Sequence, residues 1–328
     1  MTPIGHRDQI AAFREAMAQG RMHHGWLLAG PQGVGKAMFA EAAAARYLAD
    51  ATDRPPTAPG LDVPEDHPTT KLIAAGSHPD YRQLARLARD KTGDLARNIT
   101  IDQVRGLQPF FSVTPSMSAR RVVVIDAIDD LERPAANALL KNLEEPPTDT
   151  LFLLVSHAPG RLLPTIRSRC RLLRFGPLAD AEMAVAMRRL LPDASQTEIE
   201  SLVASGGGAP GRALRFAGLD IAGLDAAFAA LAREGDPSNA GRMALAKALS
   251  LKAAQPRYEV FLERLPTFIA AQAKGRSGAA LTAAIASWEK ARALAESAVR
   301  LSLDPQTTVF ELAGLVAALA PGADRAKA

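Results

Sequence analysis

The segment Gly30-Pro31-Gln32-Gly33-Val34-Gly35-Lys36-Ala37 has the G-x-x-x-x-G-K spacing of a loop that wraps a phosphate in its own backbone N–H groups. In that pattern the glycines permit the tight wrap and the lysine reaches the β- and γ-phosphates. A hydroxyl at the eighth position ligates Mg²⁺. Gly30, Gly33, Gly35 and Lys36 are therefore the candidate nucleotide-contacting residues. The eighth residue is Ala37, and a methyl group cannot hold a metal. A further candidate is Asp126, which ends the apolar run Val122-Val123-Val124-Ile125 and has the form of a strand-end carboxylate delivered toward Mg²⁺. Lys36 either binds a nucleotide phosphate or closes an empty loop around a sulfate-like anion. With the metal hydroxyl missing, Asp126 reads as the remnant of a nucleotide site.

These residues need a scaffold, and the flanking pattern supplies one. Trp26-Leu27-Leu28-Ala29 reads as a buried strand entering the phosphate loop, and an alanine-rich helix opens at Ala37. An amphipathic helix is predicted over 4–22, with Ile10, Phe13 and Met17 on one face and Gly20 ending it. Residues 51–68, rich in Pro, Asp and Thr, read as a long surface excursion. Arg82 to Leu87 alternates as a strand, and a helix begins near Ile101 with Thr100 as its N-cap. A helix over 134–145 places Ala135, Ala138, Leu139 and Leu143 on its apolar face, and Pro146-Pro147 stops it. Leu151 to Ser156 and Arg171 to Phe175 read as further strands. Strands alternating with helices predict an α/β fold with a parallel sheet. Beyond Pro177 only helices are predicted, near 182–191, 196–204, 212–217 and from 222 to 320, with breaks at Gly235-Asp236-Pro237 and Asp304-Pro305 and a frayed tail over 321–328.

Composition bounds the function. The 328 residues suffice for two or three domains, and a single cysteine, Cys170, excludes an intrachain disulfide and any multi-cysteine zinc site. The start of the chain lacks a signal-peptide pattern and no segment reaches a membrane-spanning length, so a cytoplasmic protein without a membrane partner is expected. Thirty-nine basic residues against thirty-five acidic give +4, a mild and scattered excess that solvated helix faces explain more simply than direct DNA contact.

Together these segments resemble the clamp-loader branch of the AAA+ proteins, whose members serve bacterial DNA polymerase III. The resemblance runs from Ile4 to about Phe216. It rests on His23-His24-Gly25-Trp26, on Asn137-Ala138-Leu139-Leu140-Lys141-Asn142-Leu143-Glu144-Glu145-Pro146-Pro147, on Arg167-Ser168-Arg169-Cys170, and on Gly208 to Leu214. It implies an α/β P-loop NTPase (AAA+) domain over 1–176, a small helical lid over 177–220 and an all-α collar domain over 221–328. In AAA+ ATPases the strand-end Asp is followed by a water-orienting Glu, and here that place holds Ala127. The nearest acids downstream, Asp129 and Asp130, are expected beyond the strand end.

The resemblance further makes Arg169 an arginine finger that reaches the γ-phosphate of a neighbour's ATP. The reading from spacing alone is an arginine bonded to its own loop or to a surface carboxylate. Ser156 matches a γ-phosphate-sensing position or is a plain strand-end hydroxyl, and Arg212 lies about one residue from the second sensor position. His23, His24 and His78 read as turn or packing residues, so no metal site is expected. A four-cysteine zinc module of many relatives is absent from 50–71, which predicts a more mobile segment there. The implied function is a non-hydrolysing subunit that helps place a sliding clamp on primed DNA beside ATPase gamma/tau-type and delta-type subunits. It requires no cofactor, and ATP or ADP would be a passive occupant. The rival readings are an autonomous AAA+ ATPase and a nucleic-acid-binding module with a vestigial ATPase fold.

Overall fold

A computed structural model describes residues 3–20, 22–88 and 95–321. The chain forms two compact units, Met1–Leu214 and Arg215–Ala328. In chain order the first unit holds α1 (Arg7–Ala18), β1 (Gly25–Ala29), α2 (Lys36–Ala49), α3 (Pro68–Ala74), β2 (Tyr81–Ala85), α4 (Ile101–Arg105), α5 (Gln108–Ser112) and β3 (Arg121–Asp126). It continues with α6 (Arg133–Glu144), β4 (Thr150–Ser156), α7 (Pro164–Arg167), β5 (Arg171–Arg174), α8 (Asp180–Leu190), α9 (Gln196–Gly206) and most of α10 (Pro210–Phe216). The short helices after Pro177 thus fall with the sheet.

The sheet is wholly parallel, in the order β2-β3-β4-β1-β5. This is the parallel α/β sheet that the alternation of strands and helices predicts. Its central strands β1 and β4 are buried at every residue, as continuous apolar runs covered on both faces must be. The period of two sorts each strand between two cores. Val122 and Val124 pack with Phe13, Trp26 and Phe39 under α1 and α2, whereas Val123 and Ile125 pack with Phe152, Leu139 and Leu143 under α6. Edge strand β2 lies at 81–85 rather than 82–87, with Tyr81 and Leu84 turned inward. On α6 the buried residues are Ala135, Leu139, Asn142 and Leu143, while Ala138 is half-buried. Thr100 caps α4 through a reciprocal capping box with Gln103.

Three sequence expectations need correction or limit. The first helix is shorter than 4–22, because His6 at φ 56° sits in the left-handed region before it and the last helical residue is Ala18. The segment 51–68 is not a mere surface excursion. Leu61 and Val63 are buried, and the Arg46 guanidinium, 5% exposed, donates to the carbonyls of Pro56 (3.0 Å), Ala58 (2.6 Å) and Asp62 (3.0 Å). The predicted fraying over 321–328 falls, apart from Pro321, outside the described residues.

The second unit is all-helical: α11 (Ile221–Glu234), α12 (Ala240–Leu249), α13 (Gln255–Ala273), α14 (Gly278–Leu301) and α15 (Pro305–Ala317). Gly235, with φ +71°, closes α11, and Asp304 caps α15 by accepting from the Thr307 N–H at 2.8 Å with Pro305 following at the first helical position. Phe228, Phe261, Leu265, Val309 and Leu312 are buried in this unit. Arg264 forks onto Asp225 at 2.6 and 2.7 Å and joins α13 to α11. Among the described residues no helix is long and apolar enough to cross a membrane.

Candidate functional site

The phosphate loop follows β1 and Gly35 forms the N-cap of α2, so the sheet delivers Gly30 to Lys36 to a helix N-terminus, the usual cradle for an anion. Two glycines are required by close approach. A Cβ on Gly30 would run into the Phe175 carbonyl, and one on Gly33 would lie 2.9 Å from the Arg212 backbone nitrogen. Gly33 also accepts a hydrogen bond from the Gly211 N–H at 2.9 Å, so the loop apex is tied to the first turn of α10. His6 Nε2 lies 2.8 Å from the Val34 carbonyl and ties α1 to the same loop.

Lys36 is 2% exposed, and its ammonium is spent on its own loop. Nζ donates to the Gly30 carbonyl at 2.6 Å and to the Pro31 carbonyl at 2.5 Å. Burial pulls this ammonium down to about 8, with the charges of Asp126 and Asp129 opposing the shift. A lysine depressed in the folded state and ordinary in the unfolded chain binds fewer protons when folded between those values. Stability therefore rises as pH passes from about 8 toward the unfolded value. We expect the urea midpoint of the native chain to gain on that of Lys36→Met across this window. Parallel pH profiles would show that the ammonium is not strained by burial.

Asp126 ends β3, between β2 and β4, and burial raises its carboxyl above the usual range against the pull of His157 and Lys36. Asp129 and Asp130 lie beyond the strand in a single 3₁₀ turn, and both are engaged elsewhere. Asp129 accepts from Ser156 Oγ (3.0 Å), the His157 N–H (2.7 Å) and the Ala158 N–H (3.0 Å). Asp130 pairs with Arg86 at 3.1 Å. Ala127, between the strand end and these acids, is buried. The Ser156 hydroxyl, at the end of β4, donates to Asp129. His157 stands in the field of Lys36, and burial lowers its basicity.

Arg169 belongs to a different place. A Cβ on Gly25, the first residue of β1, would meet the Arg169 carbonyl and Cys170 Sγ, both at 3.2 Å. The phosphate loop follows the last residue of that strand, so the arginine and Lys36 stand at opposite ends of roughly 13 Å of β1. Arg169 Nη2 pairs with Glu144 at 2.7 Å, and Nη1 donates to the Thr165 carbonyl at 3.0 Å. Own loop and surface carboxylate, the two partners read from spacing alone, are both occupied. Burial pushes the neighbouring Cys170 thiol up to about 12, so it is no nucleophile near neutral pH.

Gly30, Gly33, Gly35, Lys36 and Asp126 thus gather at one end of the sheet, Arg169 at the other. Arg212 lies against the loop through its backbone. His23 sits on the Gly25 backbone, His24 Nε2 lies 3.1 Å from the Leu143 carbonyl, and His78 Nδ1 accepts from the Asp80 N–H. All three are turn or packing residues. His6, Asp129 and Glu144 were not visible as participants in the sequence, since each acts on a partner far along the chain. Only Glu144 left a signal, an acid at a helix C-terminus where acids are disfavoured.

The family described as DNA polymerase III, delta subunit, matches residues 5–179, more than half of the chain. This chain belongs to that family. DNA polymerase III subunit delta′ of Pseudomonas aeruginosa is 39% identical over 214 residues, 65% of this chain and 61% of that protein. The delta′ subunit of Escherichia coli is 36% identical over 144 residues, 44% of this chain and 41% of the relative. The chain therefore matches less than two thirds of the length of these curated relatives. A solved gamma subunit-related protein of Thermotoga maritima aligns over 94% of this chain and 99% of its own at 16% identity and TM-score 0.44, too distant to add to the sheet order. The family match covers the phosphate loop, Asp126 and Arg169, so the delta′ family shares the part of the chain that holds both candidate centres.

Proposed function

We propose that this chain is a delta′-type stator subunit of the DNA polymerase III clamp loader. It does not hydrolyse ATP itself but presents Arg169 to the ATP held by a neighbouring subunit. The supporting observation is the separation of the two centres along β1, which puts Arg169 out of reach of its own loop, as an arginine serving a nucleotide on another chain requires. Two alanines fit the same reading, Ala37 in the loop in place of the metal hydroxyl and Ala127 after β3 in place of the water-orienting acid. A guanidinium fork neutralises charge on the transferring phosphoryl group, and that contribution needs no catalytic cycle in the chain that supplies it.

In this reading the partners are gamma/tau-type ATPase subunits, a delta-type subunit, the sliding clamp, and primed DNA reached through the complex, in the cytoplasm. No cofactor is required, and ATP or ADP in the Lys36 loop would be passive. The domains would act as an α/β body over 1–176, a lid over 177–220 and a collar over 221–328 that binds the neighbours.

The deciding assay compares ATP turnover by the purified chain with that of the ring reconstituted from its cognate subunits, clamp and primed DNA. We expect an inert chain and an active ring. Turnover by the chain alone that disappears in Lys36→Ala would establish the autonomous ATPase instead. Ala37→Thr alone is expected to leave the chain inert, because Ala127 still supplies no carboxylate; measurable hydrolysis in that variant would show that the second defect is compensated.

A further inference from the structure

Helix α6 ends on Glu144, with Glu145 as its C-cap. Two carboxylates therefore stand where the partial negative charge of the helix terminus disfavours them. Local helix chemistry gives no reason for Glu144, but its partner does. Glu144 Oε1 lies 2.7 Å from Arg169 Nη2. Arg169 Nη1 is taken by the Thr165 carbonyl at 3.0 Å, with Ser168 Oγ at 3.4 Å. Both terminal nitrogens of the guanidinium, the ones a phosphate would need, are thus held within the chain. The side chains are 34% and 47% exposed, so the pair is accessible from outside and loosely held. A triphosphate carries more charge than one carboxylate and accepts the same two-pronged donor.

We propose that Glu144 is a positioning residue that stows Arg169 against the end of α6 until a neighbour's triphosphate displaces the carboxylate. This rests on the arginine-finger reading above. The exchange breaks one ion pair and forms another, with no proton transferred. While the pair is closed the finger is withheld, and the neighbour's rate scales with the fraction of rings in which it is open. Glu144 thereby couples finger release to an occupied neighbouring site, and an empty site leaves the arginine stowed.

The test uses the assembled ring with only the adjacent ATP site competent, read by single-turnover hydrolysis at limiting ATP. Glu144→Gln keeps the size of the side chain and removes its charge. It is expected to speed turnover about two- to five-fold at low salt, the range an exposed ion pair allows. The gain over the native ring should fade as salt screens the pair, a change that a merely structural role would not produce. In an Arg169→Ala background the same substitution should change nothing. If Glu144→Gln is no faster than native while Arg169→Ala is slow, stowing is overturned and the finger stands. A slower Glu144→Gln also overturns it, since the carboxylate would then hold the finger in its productive pose. A harmless Arg169→Ala removes the finger, and the stow with it.

Discussion

Arg169→Ala is expected to slow hydrolysis at the neighbouring subunit on the order of 10³-fold, the lower end of what a guanidinium at a transferring phosphoryl group contributes. The measurement is single-turnover cleavage in a ring where only that neighbour holds a competent site, so the other sites cannot mask the loss. Stability should barely change. The Arg169–Glu144 pair is partly exposed, and such pairs contribute at most about 1 kcal/mol. Arg169→Lys should recover only part of the rate, because an ammonium is a point charge without the planar fork that grips two oxygens. Assembly should persist in both variants. Unchanged turnover in Arg169→Ala would remove the proposed mechanism, whatever the family membership.

The largest effect on folding is expected at Arg46, far from either candidate centre. Its guanidinium is buried, pairs with Asp50 at 2.7 Å and fills three carbonyls of the 56–62 loop. Asp50 also pairs with Arg14 at 2.6 Å, so truncation does not strand that carboxylate entirely. The carbonyls of Pro56, Ala58 and Asp62 lose the guanidinium that gathers them. Arg46→Ala should therefore cost about 3 kcal/mol, the low end for breaking a buried ion pair. That corresponds to a fall in Tm of roughly 6–12 °C for a unit of this size. Proteolysis within 51–66 should accelerate with it, as the loop loses its anchor. A loss under about 1 kcal/mol would mean that packing of Leu61 and Val63 holds the loop without the arginine.

Much of this was legible from local pattern. The apolar runs of β1, β3 and β4 are what doubly covered parallel strands require, and the face of α6 followed from its 3.6-residue period. The phosphate loop and its Ala37 could be read directly, because backbone wrapping depends on contiguous residues. The hidden part was every bond between a side chain and a distant backbone. Nothing in the sequence pairs His6 with Val34, or Asp129 with the turn after Ser156, since such partners are set by how the strands are ordered. The loop after Asp50 was legible only in part. It runs over the surface as its composition suggests, but nothing local marked Leu61 and Val63 as buried or Arg46 as the group that gathers its carbonyls.

The bond from the Gly211 N–H to the Gly33 carbonyl has one more consequence. The phosphate loop and the first turn of α10 lie far apart in the sequence. Here backbone hydrogen bonding joins them in the chain by itself, and His6 fixes the same loop from the other side. The conformational entropy of ordering this region is thus surrendered during folding rather than at association. Any ligand or subunit that meets a region ordered in advance keeps more of its contact energy as affinity.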